Sequence, residues 1–489
     1  MASDDKKELH VLLVAFSAQG HINPLLRFGK SLLTRGLHVT LATTGLVYDR
    51  VFKKPTDDDT VPASITVNGI HVVFFSDGFA SESERNKTTI DDFMETIGES
   101  GPVSLSNIIK DHFLSNSSKK LACIINNPFV PWVADVAAEF QIPCACLWIQ
   151  PCALYAIYCR FYNNLNPFPT LQNPNIQVHL PGLPLLQPQD LPSFIHPSNT
   201  FGIFQKLLSQ MLQLQHMKKL KWILANSFYE LEKDVIDSMA EIFPIKPVGP
   251  LVPPSLLLGS DENADDVGIE MWKPQDSCME WLDQKPPSSV IYISFGSLVV
   301  LSENQWKNIA DALVRSKRPF LWVMKRKDES VQDESQIPSA SFLEETKEQG
   351  MVVPWCPQTK VLAHDSVACF LTHCGWNSML EAITVGVPMI AYPQWTDQPT
   401  NAKLISEVFG TGIRLRQDDG EGFVATEEVE RAIEEIFEGP RAEEIRKKAR
   451  GLKEAARDAV AEGGSSDRNI QSFVDEIVKE NNANLTDQR

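Results

Sequence analysis

Residues able to do chemistry gather at a few short stretches of the chain. In THCGWNSMLEAI an apolar strand pattern ends at His373, and Gly375, Asn377 and Ser378 open a helical pattern. Free backbone N–H groups and the positive end of the helix dipole make such a start an anion site, and Asn and Ser add side-chain donors. His373 adds a further donor or a positive charge. The same residues also serve as an ordinary helix cap. Gly20 and His21 stand at another strand-to-helix turn, in SAQGHINP. In CIINNPF a buried strand pattern runs straight into two amides, Asn126 and Asn127. These are uncharged hydrogen-bonding groups at the mouth of a strand, although Asn is also a common turn residue, which is how Asn126 reads.

The elements that must hold these residues are legible as an alternation. Apolar β-type runs are expected over 10–16, 38–43, 71–75, 121–126 and 144–149, and again over 289–296, 320–324, 350–355, 368–373, 388–393 and 412–415. Amphipathic helical stretches separate them. Runs that are apolar throughout, with no alternation, fit parallel strands covered by helices on both faces. The fold class is therefore α/β, with two doubly wound parallel-sheet domains. Ligands of such sheets sit beyond the carboxyl ends of the strands. That rule selects SAQGHINP, NNPF, FGS (295–297), WCPQ (355–358), HCGWNS and PQWTDQ (393–398). Between the halves, PVGPLVPPSLLLGSDENADDVGIEMWKP is proline-rich at its start and acidic in its middle, the composition of an exposed linker. Residues 425–480 read as helices and 481–489 as a frayed tail.

Composition removes several classes of function. A chain of 489 residues has room for two domains, each with its own core. Its net charge of −18, from 45 basic and 63 acidic residues, disfavours nucleic acid and anionic membranes, which clustered Lys and Arg would bind. The 9 cysteines show no paired metal spacing, and Cys144 and Cys146 read as small core residues on one strand face. The acidic run DDD (57–59) reads as a solvated loop, so no metal site is expected. The charged N-terminus leads directly into a strand, and no apolar run approaches the roughly 18 residues of a membrane span. A cytosolic protein is expected.

Residues 355–398, WCPQTKVLAHDSVACFLTHCGWNSMLEAITVGVPMIAYPQWTDQ, resemble the donor-binding box of the plant family 1 UDP-sugar glycosyltransferases. The resemblance extends to GHINP, PVGPL, SFGS and GGSSDRNIQSFVDEI, so it covers essentially the whole chain. It implies a GT-B fold: two Rossmann-like domains facing across a cleft. It also implies the division 1–250 for the acceptor, 251–275 as linker, 276–465 for the UDP-sugar, and 466–489 as a helix crossing back, with a tail. Carried over, Trp355 stacks on the uracil, Cys356 and Gln358 help hold the nucleoside, and Glu381 takes the ribose hydroxyls. The diphosphate lies on His373, Gly375, Asn377 and Ser378, with Ser297 as a further contact. Trp376 lines the sugar site, and Asp397 and Gln398 bind the sugar hydroxyls, Gln398 suggesting glucose. The implied reaction is an inverting transfer from UDP-glucose, the donor substrate, to a small aromatic acceptor, by a monomer with no resident cofactor.

The resemblance also places the catalytic base at His21, and the chain departs from the family at that base. Most members follow the fourth strand with an aspartate that accepts a hydrogen bond from the histidine, and ACIINNPFVPW puts Asn127 there. An amide can orient the ring but does not stabilise an imidazolium; in a serine-protease triad the same change costs about 10⁴ in rate. A phenol of pKa roughly 10 would feel that loss, whereas a carboxylic acid of pKa roughly 4 arrives ionised. If the amide donates to one ring nitrogen, His21 keeps its proton on the other and donates to the carboxylate. INNPF.PW and LW.Q.CA also resemble the branch that esterifies hydroxycinnamic, benzoic and indole-type acids. The expected product is a glucose ester. The alternatives are O- or C-glucosylation of a flavonoid-type polyphenol, and a silent UDP-sugar-binding protein. The acceptor pocket is expected around 79–94, 150–158 and 185–204.

Overall fold

A computed structural model describes residues 8–53, 60–258, 266–272, 275, 277–296, 299, 301–324, 340–417 and 423–486. Ser297, the run 57–59 and most of the acidic middle of the linker lie outside the described residues. The first sheet contains β1 (Glu8–Val14), β2 (His38–Thr44), β3 (Ser64–Val67), β4 (Ile70–Phe75), β5 (Lys119–Asn126), β6 (Cys144–Trp148), β7 (Trp222–Ala225) and β8 (Lys246–Pro247). The second contains β9 (Val290–Ser294), β10 (Phe320–Val323), β11 (Gly350–Val353), β12 (Val367–Thr372), β13 (Met389–Ala391) and β14 (Gly412–Arg414). Among the described residues the strand orders are β3-β4-β2-β1-β5-β6-β7-β8 and β11-β10-β9-β12-β13-β14. Every pairing is parallel except β3 with β4.

Continuous apolarity has the cause expected of it. Val11, Leu12, Leu13 and Val14 are each 0% exposed. Leu12 and Val14 face one hydrophobic cluster, while Val11 and Leu13 face another on the opposite side of the sheet. A strand buried on both faces has no position left for a polar residue. All the strands expected from sequence are present to within a few residues; β3, β7 and β8 were not anticipated. β3 is a partly exposed four-residue antiparallel strand at the edge, and β8 is a two-residue edge strand ending in proline, so neither carries an apolar run. β7, WILA, is an apolar four-residue strand buried at every position.

The cysteines all lie in the core as free thiols, and burial pushes those of Cys144 and Cys146 up, which leaves them inert. No helix among the described residues is long and apolar enough to cross a membrane.

The expected frayed tail needs correction. The helix Ser465–Thr486 runs through residues 481–486, and Asn481 is buried. Its Nδ2 donates to the Ile477 carbonyl at 2.8 Å, and its own carbonyl accepts from Lys120 Nζ at 2.9 Å. The helix survives because it rests on the first sheet. Phe473 is 0% exposed, edge-on to Trp222 at 5.3 Å and 6.0 Å from Phe28. The Trp222 indole donates to Glu476 at 2.6 Å, and Asn469 Nδ2 donates to the Pro247 carbonyl at 2.8 Å. Removing a buried phenyl costs the lost transfer energy plus a cavity, about 3–5 kcal/mol. Phe473→Ala is therefore expected to lower stability by about that amount, read from the midpoint of urea unfolding. A midpoint equal to wild type would mean that the helix is not held by this ring.

Candidate active site

Strand order reverses between β1 and β5 in the first sheet and between β9 and β12 in the second. Connections leaving on opposite faces at such a point open a crevice beyond the carboxyl ends. His21 follows β1 and Asn127 follows β5; Gly296 follows β9 and His373 follows β12. These four residues thus fall at the switch points of their sheets.

His21 lies near the start of the helix Gln19–Leu33, half-buried between Phe16 and Phe129, each 5.2 Å away between ring centroids. Its Nδ1 is 2.8 Å from Asn127 Oδ1, and the Phe129 backbone N–H donates to the same oxygen at 3.2 Å. A backbone N–H can only donate, so it fixes which end of the amide faces it. Asn127 therefore presents its oxygen to the ring, Nδ1 carries the proton, and Nε2 is left with a lone pair. This overturns the expectation that the amide donates to His21. Burial lowers the pKa of His21 to about 4, only partly offset by the Asn127 bond. The ring is neutral at neutral pH, and its free nitrogen is a proton acceptor.

Asn126 ends its strand, as read from sequence, but it is not a solvated turn residue. It is the last residue of β5, 0% exposed, and neither Nδ2 nor Oδ1 has a hydrogen-bond partner among the described residues. Asn127 Nδ2 is likewise buried without one.

On the second sheet His373 packs over two glycines. A Cβ on Gly375 would lie 2.4 Å from its Nε2, and one on Gly296, where φ is +73°, would lie 2.8 Å away. Any side chain at Gly296 would meet both the ring and the left-handed backbone. Burial lowers the His373 pKa to about 4, so it offers an N–H donor and not the positive charge considered from sequence. The helix Trp376–Val385 begins at Gly375 with no side-chain cap, which leaves its first N–H groups open.

Asn377, which sequence suggested as a cap, reaches across to the other sheet. Its Nδ2 donates to the Gly20 carbonyl at 2.9 Å, one residue before His21, and its Oδ1 accepts from Asn226 at 3.4 Å. Trp376 requires a correction: it is 3% exposed and its indole donates to the Asn226 carbonyl at 2.7 Å. It joins the two halves and does not line an open sugar site. Asn226, 1% exposed, also accepts from the Leu251 N–H at 2.8 Å. It had no signal of its own in the sequence, because it follows β7, which was not read as a strand.

The other expected donor residues form connected networks. Gln358 Nε2 donates to Glu381 at 2.8 Å and to Ser378 Oγ at 3.0 Å, while its Oε1 accepts from Tyr292 at 2.9 Å. Burial pushes the Glu381 carboxyl up, opposed by the Gln358 bond. Trp355 is half-buried with Trp272 tilted beside it at 6.0 Å, and the Cys356 thiol is buried beside Tyr292. Asp397 accepts from Thr396 Oγ1 and Asn401 Nδ2, each at 2.7 Å. Gln398 Oε1 accepts from the N–H groups of Gln394 and Trp395 at 2.9 and 3.2 Å.

A family model described as UDP-glucoronosyl and UDP-glucosyl transferase matches residues 203–449. UDP-glycosyltransferase 84B1 of Arabidopsis thaliana is 44% identical, with 98% of this chain and 100% of that one covered. Gallate 1-beta-glucosyltransferase 84A24 of Punica granatum is 41% identical over 96% of this chain and 89% of its own. A crystal structure of Os79 from O. sativa in complex with UDP superposes with a TM-score of 0.82 at 32% identity, over 96% of this chain and 100% of that one. Paired doubly wound sheets of this kind are the GT-B fold. The chain belongs to the UDP-glycosyltransferase family and is an enzyme of that class.

The bond from His21 to Asn127 makes a direct prediction. Asn127→Asp sets a negative charge against Nδ1 and raises the His21 pKa. The acid limb of kcat/KM for a phenol acceptor is then expected to move upward from about 4, with phenols gaining at least about tenfold on carboxylic acids. An unchanged pH profile in the variant would disconnect Asn127 from the base.

Proposed function

We propose that the enzyme transfers glucose, with inversion, from UDP-glucose to the carboxylate of a small aromatic acid, giving a glucose ester. The observation that carries this reading is the orientation of Asn127, whose neutral oxygen holds the His21 tautomer without stabilising an imidazolium. The relative named for gallate glucosylation supports it.

In this reading a carboxylate oxygen of the acceptor forms a bond to the anomeric carbon as the bond from that carbon to the UDP oxygen breaks. Charge builds on the departing diphosphate. The uncapped N–H groups at the start of the helix Trp376–Val385, with His373 and the backbone of Asn377 and Ser378, are assigned to such charge. Ser297 is assigned to the same diphosphate. Trp355, Cys356, Gln358 and Glu381 hold the nucleoside, with Gln358 keeping the Glu381 carboxylate turned for the ribose diol. Asp397 and Gln398 take the sugar hydroxyls from the short helix Gln398–Lys403 and its cap. UDP-glucose is the donor substrate, and no resident cofactor or metal is invoked.

The lone pair on His21 Nε2 gives this reaction a characteristic proton balance. A carboxylate oxygen beside it repels it unless one proton lies between them. At neutral pH the free acid, of pKa roughly 4, and His21, held at about 4, both lack that proton. Productive binding therefore takes up one proton, which passes to Nε2 as the oxygen bonds the anomeric carbon and is then released from the ring to solvent. The same lone pair suits a phenol, which brings its own proton, and this supports O-glucosylation of polyphenols as the second reading.

Two measurements separate the readings. Incubation with UDP-glucose and either a cinnamic acid or a polyphenol lacking a carboxyl, followed by mild alkali, is expected to yield an alkali-labile product from the acid. An alkali-stable product from the polyphenol alone would move the enzyme to the second reading. With the acid, kcat/KM is expected to rise by up to about tenfold per pH unit from 7 towards 5, the signature of one proton taken up. A flat profile over that range would sink the shared-proton complex.

A further inference from the structure

One segment of the first α/β unit touches both the surroundings of the base and the sugar loop. At its far end Phe194 stacks on Phe204 at 5.1 Å, Phe204 meets Phe129 edge-on at 5.4 Å, and Phe129 flanks His21. This aromatic chain ties residues 194–204 to the base. The same segment grips the loop that carries Asp397 and Gln398. The Ser193 N–H donates to the Thr396 carbonyl at 2.8 Å, and Phe201 lies 5.0 Å from Trp395.

Asp190 anchors this junction. It is 3% exposed, yet its carboxylate receives Arg414 on one oxygen and has Lys403 Nζ 3.3 Å from the other. Its carbonyl accepts from Thr400 Oγ1 at 2.6 Å, and Arg414 also donates to the Gln189 carbonyl at 3.4 Å. Lys403 and Thr400 belong to the short helix that Asp397 caps, and Arg414 ends β14. A carboxylate shielded from water keeps strong attraction for its cations and tolerates little displacement. The Gln187 N–H, donating at 2.9 Å to the oxygen that faces Lys403, fixes the carboxylate from its own side.

We propose that Asp190 is a positioning residue that fixes the sugar-holding loop at Asp397 and Gln398 in register with His21, through Arg414, Lys403 and Thr400. The proposal rests on the reading that Asp397 and Gln398 hold the sugar. UDP itself is assigned to residues outside this junction, so loss of Asp190 separates nucleotide binding from alignment of the anomeric carbon with the acceptor.

The test compares full-length wild type with Asp190→Asn, Arg414→Ala and Arg414→Lys. UDP affinity is measured by calorimetry, kcat and KM with whichever acceptor the wild type uses, and UDP-glucose hydrolysis alongside transfer. Asp190→Asn is expected to lower kcat for transfer by about ten- to a hundredfold, the effect of a misplacement on the order of 1 Å. The UDP Kd is expected to stay within about twofold, and the share of donor lost to hydrolysis to rise. Arg414→Ala should behave alike, and Arg414→Lys should recover most of the rate. The proposal is overturned if kcat and the hydrolysis share match wild type. It is equally overturned if kcat, UDP affinity and Tm fall together with no change in that share, since Asp190 would then be merely structural. Should Asp190→Asn not fold, the Arg414 pair decides by the same criteria. An alkali-stable product in the wild type would defeat the ester reading while leaving this comparison intact on the phenol.

Discussion

A single oxygen, Asn127 Oδ1, accepts the Phe129 N–H and the His21 Nδ1–H together. The first donor belongs to the backbone and cannot be reversed, so it settles the orientation of the amide, and the amide settles the tautomer of the ring. The basic nitrogen of the site is thus defined by the chain turning after β5. Burial of the ring between Phe16 and Phe129 keeps it neutral. With an aspartate at this position the same geometry would stabilise charge on the ring; with asparagine it provides direction only.

That base is useful only if the donor side is held in register with it, and the links between the two sides are mostly neutral hydrogen bonds. Asn377 fastens to the carbonyl of Gly20, and Asn226 binds Trp376 and Asn377. A Cβ on Gly20 would approach Asn377 Nδ2 to 3.1 Å, so the absence of a side chain there permits the close approach. Buried amides serve this purpose well, because each offers a donor and an acceptor without the desolvation cost of a charge. The buried ionic junction at Asp190 instead fastens the helix Gln398–Lys403 and the end of β14.

The sheets were legible from sequence because burial on both faces forces apolar runs, and the loops that matter followed from the rule about carboxyl ends. What escaped were features with no local signal. Asn226 follows β7, a strand not read from sequence. Trp376 reads as a cleft residue beside Asn377, yet its indole is spent on a carbonyl contributed by the other half of the chain. The helical tail reads as frayed because it is a chain end, although Lys120 and Ile477 supply its contacts. The direction of the Asn127 amide escaped for the same reason. It depends on the Phe129 N–H, and a backbone donor is invisible to residue-type reasoning.

The departure from aspartate is therefore more than a lost charge. A neutral acceptor oxygen leaves a lone pair on Nε2 and a ring that protonates only in acid, and such a ring makes a poor partner for a bare carboxylate. It becomes a better one when a proton is shared, because burial has lowered the ring's affinity for it toward that of an acid. A phenol, whose proton is held about six pKa units more tightly than that of an acid, gains much less from a neutral imidazole of such low basicity. On the proposed reading this proton balance favours acids in a protein whose overall charge would repel them. On that reading the specificity resides in where one proton can rest.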